Sequence, residues 1–183
     1  MVSEFKLGGF AALVLAVVAA MPLAAQPAHE MDEYQVKAGF LTAFAGFIEW
    51  PNGAFAGPAD PLAICVLGSD PFGPSLDTVV AGKVIGGRAL AVRRISDVRR
   101  ATGCHMVFVG ASEHLRLRAV LTTLRDQCVL SVGDTSDFIA EGGIVNLRLE
   151  NGKVRIDINE DAAKEVHLRV SSRLLQLARN VKR

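Results

Sequence analysis

The sequence predicts an α/β fold: one domain with a mainly parallel β-sheet, flanking helices, and a C-terminal β-hairpin followed by a helix. First, continuous apolar runs typical of buried strands alternate with helical patterns between residues 62 and 133, an order that favours parallel strands. Second, two alternating runs flank Asn151-Gly152, which is a hairpin signal. Third, 183 residues of which 50% are hydrophobic can build one core but not two comfortable ones.

The first 25 residues have the layout of a secretory signal peptide. Lys6 precedes an apolar stretch over residues 8–20, Pro22 ends it, and small residues lead up to Ala25. The alternative is a membrane anchor, but the apolar stretch is shorter than the roughly 20 residues that a spanning helix needs. We therefore predict export, with cleavage near Ala25 and a single mature domain over residues 30–183.

A long helix is predicted over residues 30–49. Its apolar residues form a face broad enough to indicate deep burial, and acidic residues at its start suit the positive end of the helix dipole. We expect the helix to end at Trp50-Pro51, because a residue that precedes proline disfavours the α conformation.

The central part of the chain predicts alternating strands and helices. Strands are expected at residues 62–68, 87–95, 105–110 and 129–134. Helical segments are expected within residues 70–82, at 96–101 and at 112–127. Ser112 is the predicted N-cap of the last of these, since a serine hydroxyl can accept from a free backbone N–H there.

The C-terminal hairpin gives the clearest local signal. With a two-residue turn at Asn151-Gly152, the apolar residues of both strands fall on one face. The other face places Arg148 opposite Arg155, a like-charge pair that costs stability unless it is compensated. Neighbouring carboxylates and solvent could compensate it, or the pair could meet an acidic partner or ligand. A last amphipathic helix follows, with Ser171 or Ser172 as its cap.

The three cysteines are Cys65, Cys104 and Cys128. In an exported protein, two cysteines at or beside buried strands favour a disulfide, and Cys65 and Cys104 meet that description. The alternative is three reduced, buried thiols. No CxxC motif is present, so nothing supports a thioredoxin-like redox role.

No motif for catalysis, metal binding or nucleotide binding occurs in the chain. Asp134 follows a predicted strand, where it could be catalytic by analogy with other α/β proteins, but such an aspartate more often caps a turn. His105 is interpreted as structural, because a strand would turn it away from Cys104. The net charge of +1 argues against nucleic-acid binding. We predict no enzyme activity, no metal and no cofactor.

Several segments, in this order and spacing, resemble the YfiR-type periplasmic proteins. They are EYQVKAGFLTAFAGFIEWP, ICVLGSDPFG, GRALAVRR, GCHMVFVG, LSVGD, GGIVNLRLENGKVRIDIN and SSRLLQLA. The resemblance covers about residues 33–181 and implies a periplasmic α/β domain, often a homodimer, with a disulfide between Cys65 and Cys104. A second disulfide that some members carry near residues 137–146 has no cysteines here, so we expect that segment to be held more loosely.

The resemblance also implies a repressor rather than an enzyme. Such a protein binds the periplasmic sensor domain of an inner-membrane diguanylate cyclase and holds the cyclase inactive, and an outer-membrane lipoprotein can sequester it. The candidate partner-binding residues are Arg148, Arg155, Arg169 and Arg173. The alternative function is a periplasmic small-molecule sensor that uses the crevice of the α/β sheet and signals through another membrane protein.

Overall fold

A computed structural model describes residues 28–183, with side chains from Glu33 onward. The predicted signal peptide lies outside these residues. The helices are α1 (Ala28–Phe44), α2 (Pro74–Val80), α3 (Leu117–Arg125), α4 (Glu160–Glu165) and α5 (Ser172–Leu177). The strands are β1 (Ile48–Glu49), β2 (Leu62–Leu67), β3 (Val84–Ile85), β4 (Arg88–Ile95), β5 (Met106–Val109), β6 (Leu130–Gly133), β7 (Val145–Glu150), β8 (Lys153–Asn159), β9 (Arg169–Val170) and β10 (Asn180–Lys182). Among the described residues, no helix is both long and apolar enough to cross a membrane.

The central sheet has the strand order β10-β8-β7-β6-β5-β2-β4-β3. Its neighbouring strands are parallel except for β7 with β8 and β3 with β4. A separate antiparallel pair joins β1 to β9. The mixed α/β class with a mainly parallel sheet is therefore confirmed, and the C-terminal hairpin occupies its predicted place. The last helix is predicted to continue to about residue 181, but it ends at Leu177, and Asn180–Lys182 form β10 beside β8.

Each face of the sheet carries its own apolar core, because successive side chains of a strand point to opposite faces. Ile64 and Val66 of β2 pack with residues of α1 and α2 in one core. Cys65 and Leu67 pack with residues of α3 in the other. All four side chains are fully buried, which explains why β2 is continuously apolar rather than alternating.

The first helix ends earlier than predicted. It stops at Phe44, and the backbone N–H groups of Gly46 and Phe47 close a turn on the carbonyls of residues 43 and 44. Ile48 then pairs with Val170 of β9. The prediction that the helix runs to Trp50-Pro51 is wrong because pairing with a distant strand outweighs helical periodicity.

The hairpin register is confirmed, with Leu147 opposite Ile156 and Arg148 opposite Arg155. Ser171 is the N-cap of α5, and its Oγ accepts from the N–H of Leu174 at 3.3 Å. The cap predicted for Ser112 is wrong. Ser112 lies in a 3-10 turn over Ala111–Arg116, ahead of α3.

Candidate functional site

The disulfide joins the middle of β2 to the residue pair that precedes β5. The Cα atoms of Cys65 and Cys104 are 5.9 Å apart, and 39 residues separate them in sequence. Both side chains belong to the core on the α3 side of the sheet. A cross-link over a loop of this length stabilises a fold by about 4 kcal/mol in the chain-entropy model. Cys128 is a free, partly exposed thiol.

Non-reducing peptide mapping should recover one cross-linked peptide that contains Cys65 and Cys104, while an alkylating reagent labels Cys128. The reason is geometric, since the two joined cysteines lie within disulfide range and Cys128 is free. A Cys128→Ser variant is the matched control and should give the same cross-linked peptide. Recovery of Cys128 in a cross-link with either of the others would contradict this pairing.

The usual ligand position of an open α/β sheet is closed here. In such sheets, ligands bind beyond the carboxyl ends of the strands, where the strand order reverses, which in this sheet is between β2 and β5. The N–H of Ser69 donates to Oγ of Ser112 at 2.9 Å, so the two loops bind each other directly. A Cβ on Gly68 would collide with that hydroxyl, and one on Gly110 would lie 2.8 Å from the Ser69 carbonyl. The two loops therefore leave no open crevice between them.

Asp134 holds α1 onto the sheet. Its Oδ2 accepts from Nζ of Lys37 at 2.7 Å and from the hydroxyl of Tyr34 at 2.9 Å. Lys37 also pairs with Glu33 at 2.5 Å. Only 3% of the Lys37 side chain and 6% of the Asp134 side chain are exposed. Because every charge in this cluster faces an opposite charge and is covered, we interpret the cluster as structural.

The hairpin arginines differ in what they contact. Nε of Arg148 donates to Asp157 at 2.7 Å, and its Nη2 lies 3.1 Å from Glu150. Glu150 also pairs with Arg179. Arg155 lies directly opposite Arg148 and is exposed. Of the two explanations for the like-charge pair, the structure thus supports compensation by neighbouring carboxylates.

Arg169 and Arg173 lie on different elements from the hairpin pair: Arg169, in β9, lines a cleft, and Arg173 lies in α5. The cleft has a volume of about 560 Å³. Its lining residues are Glu49, Trp50, Pro51, Asn52, Lys164, His167, Leu168 and Arg169. It forms where β1 and β9 meet, with Arg169 opposite Glu49 in the register. Neither Arg169 nor Arg173 has an ion pair among the described side chains, so their charges remain available.

The exposed side of α5 combines charge with apolar surface. Arg173 and Leu177 lie four residues apart on α5 and hence share one side of the helix. Leu177 is 63% exposed. We call the cleft residues Lys164, His167 and Arg169, taken together with Arg173 and Leu177 of α5, the cleft–α5 surface.

His167 is a cleft residue that sequence reasoning missed. Its backbone adopts a φ of 61° two residues after the end of α4, a left-handed conformation that costs a residue other than glycine about 1 kcal/mol or more. The N–H of Leu168 donates a hydrogen bond to the carbonyl of Ala163, which caps the C-terminal end of α4. No local sequence signal marks this cleft, because it arises from pairing between β1 and β9.

Comparisons with known proteins agree with this fold. The YfiR/HmsC-like family model matches residues 34–179. A conserved domain protein from Vibrio cholerae has a similar structure, with a TM-score of 0.57 and 11% identity. The ABC domain in complex with L-Trp from Streptococcus pneumoniae has a TM-score of 0.53 and 10% identity. Each match covers 81% of this chain, which spans 60% of the length of either protein.

At these identities the two structures show likeness of fold alone. A search of curated proteins finds no match. The family match, in contrast, extends from the first turns of α1 to the residue before β10. The chain therefore belongs to the YfiR/HmsC-like family.

Proposed function

We propose that this protein is a periplasmic repressor that binds the periplasmic sensor domain of an inner-membrane diguanylate cyclase and so lowers cyclic di-GMP signalling. Family membership supports this function, since the family points to periplasmic regulators of such signalling. In this proposal an outer-membrane lipoprotein competes for the repressor. Mass action between the two partners then sets the output of the cyclase.

The observation that carries the proposal is the cleft–α5 surface. Arg169 and Arg173 are exposed cations without ion pairs among the described side chains, and Leu177 lies beside Arg173 as exposed apolar area. Surfaces of this kind fit partners that present carboxylates around an apolar anchor, because complementary charge raises the association rate and fixes register. Arg148 contributes less, since its charge is already compensated.

A second surface is our proposed site of homodimer formation. A groove of about 450 Å³ runs between α1 and the hairpin tip. Val36 is 50% and Leu149 40% exposed there, with Glu33 and Lys153 also lining the groove. In a two-fold dimer Val36 and Leu149 of each copy can pack against those of the second copy, so the groove is complementary to itself.

The alternative function is a periplasmic small-molecule sensor. Its support is the volume of the cleft, about 560 Å³, which falls within the usual range for ligand pockets. Since the loops after β2 and β5 contact each other directly, the ligand would occupy the cleft beside Trp50 and Arg169. Under this alternative, deletion of the gene would leave cyclic di-GMP unchanged.

Deleting the gene should raise cellular cyclic di-GMP, and complementation with the unmodified gene should lower it again.

An Arg173→Glu variant should fail to complement and should bind the purified sensor domain at least about tenfold more weakly, because it places like charges together. Arg100→Glu is the matched control, since Arg100 is also exposed and the charge change is the same. If deletion does not raise cyclic di-GMP, the repressor function is contradicted. If both variants bind the sensor domain equally well, the cleft–α5 surface does not contribute to this binding.

A further inference from the structure

The loop over residues 51–61 is clamped by a three-layer stack of side chains. The guanidinium carbon of Arg88 lies 3.7 Å from the centroid of the Phe55 ring. On the other side, the rings of Phe55 and His105 stack with centroids 4.1 Å apart and an angle of 16° between their planes. Phe55 belongs to the loop, while Arg88 begins β4 and His105 precedes β5. The loop is thus held between two fixed points of the sheet.

Hydrogen bonds require the neutral form of His105. Its Nδ1 accepts the backbone N–H of Ala63 at 3.1 Å. Its Nε2 lies 3.1 Å from the carbonyl oxygen of Ala54, so Nε2 carries the hydrogen and donates it. A proton on Nδ1 would place two donors face to face at the Ala63 contact, because an imidazolium has no acceptor. Only 6% of His105 is exposed, so water has little access to relieve that clash.

The charged groups that act on His105 are Arg88 from β4 and Asp60 from the loop itself. Arg88 is fixed in place, since its Nη1 donates to the carbonyls of Gly57 and Asp60 at 2.8 Å each. Burial is the main cause that lowers the pKa of His105 below its ordinary value of 6.5, and Arg88 adds to it. The Ala54 hydrogen bond and Asp60 oppose this shift without reversing it.

We infer that proton uptake by His105 releases the first part of this loop, residues 51–56, so that mild acid opens one wall of the cleft. The loop begins at Pro51 and Asn52, which line the cleft beside Trp50. When the loop is released, His105 binds a proton at its ordinary pKa. When the loop is clamped, His105 binds a proton only at lower pH, so acid favours the released state. Each pH unit below about 6.5 shifts the equilibrium up to tenfold, until the clamped histidine also titrates.

The single tryptophan of the chain makes this release measurable. Trp50 contacts Phe55 edge to face, with ring centroids 6.2 Å apart, so its emission should change when Phe55 leaves the stack. Between about pH 8 and pH 5, we expect a reversible change in Trp50 emission with its midpoint below about 6.5. His105→Asn should abolish the change, because the amide oxygen can still accept from Ala63 but cannot titrate.

His167→Gln is the necessary control, because His167 and Trp50 line the same cleft and a charged imidazole can quench an indole nearby. We expect this variant to keep the change in emission. A change lost in His167→Gln but kept in His105→Asn would overturn the inference, as would constant emission in the unmodified chain.

Amide hydrogen exchange on the unmodified chain gives a second test, independent of how the variants fold. After correction for the intrinsic rate, the N–H of Ala63 should lose protection between about pH 7.5 and pH 5.5, while those of β6 should not. Unchanged protection at Ala63 would overturn the inference. Its consequence for regulation rests on the proposed function: the sensor domain should bind more weakly in acid. Loop release is measured on the free protein, without the sensor domain. The inference about His105 and the proposed repressor function can therefore fail independently of each other.

Discussion

Replacing Lys37 with methionine should lower the free energy of unfolding by roughly 3–5 kcal/mol, the usual cost of leaving one member of a buried ion pair without its partner. The Lys37 ammonium lies between Glu33 at 2.5 Å and Asp134 at 2.7 Å. Without it, Asp134 keeps the Tyr34 hydroxyl as a donor but loses the positive charge that balances two carboxylates. Urea unfolding at neutral pH measures the loss as a lower midpoint at constant slope.

Two control variants separate the effect of burying the ion pair from the effect of losing a charge. Lys164→Met removes an ion pair with Glu160 of the same i,i+4 kind, but 59% of the Lys164 side chain is exposed, so we expect a loss below about 1 kcal/mol. Asp134→Asn keeps an acceptor for Lys37 and should cost less than Lys37→Met. Equal losses for Lys37→Met and Lys164→Met would show that the cluster does not hold α1 onto the sheet.

The parts of the fold that sequence could predict are those that short stretches of chain determine. The hairpin register follows from the Asn151-Gly152 turn and a side-chain period of two, and all its pairs agree with the structure. The cap at Ser171 is equally local. The buried strand β2 is recognisable because six consecutive apolar residues are covered on both faces.

The parts that sequence could not predict depend on contacts between distant residues. Strands β1 and β9 have two residues each and exist because Ile48 meets Val170. The partner of Asp134 is 97 residues away, at Lys37. The cleft could not be predicted from sequence for the same reason, since its walls come from β1 and from the segment between α4 and β9. Only Trp50, as the single tryptophan, and the exposed arginines drew attention to this region.

The segment near residues 137–146 is held more firmly than its sequence predicts. The absence of cysteines predicts a loosely held segment, but in the structure Phe138 anchors it with 0% exposure. The ring lies against Gly133 and Gly143, and a Cβ on either glycine would collide with it. Arg118 adds an ion pair to Glu141 at 2.7 Å. An apolar side chain in the core thus holds a segment that the sequence predicts to be loose.

Replacing Phe138 with alanine should therefore lower the free energy of unfolding by roughly 3–5 kcal/mol, the usual cost of a buried phenylalanine. The loss combines the transfer of the ring to water with the cavity that remains between Gly133 and Gly143. Since Phe138 is the only buried apolar side chain in residues 134–143, amide exchange there should also become faster than in β6. Denaturant unfolding gives the free energy, and exchange gives the location.

The matched controls for Phe138→Ala lie at the same place in the chain. Asp137→Ala changes an exposed neighbour and should shift the free energy by no more than about 0.5 kcal/mol. Phe138→Leu keeps most of the apolar contact and should cost less than half as much as the alanine variant, because less cavity remains. If Phe138→Ala cost no more than Asp137→Ala, the segment would be held by its polar contacts, such as Arg118 with Glu141, rather than by the buried ring.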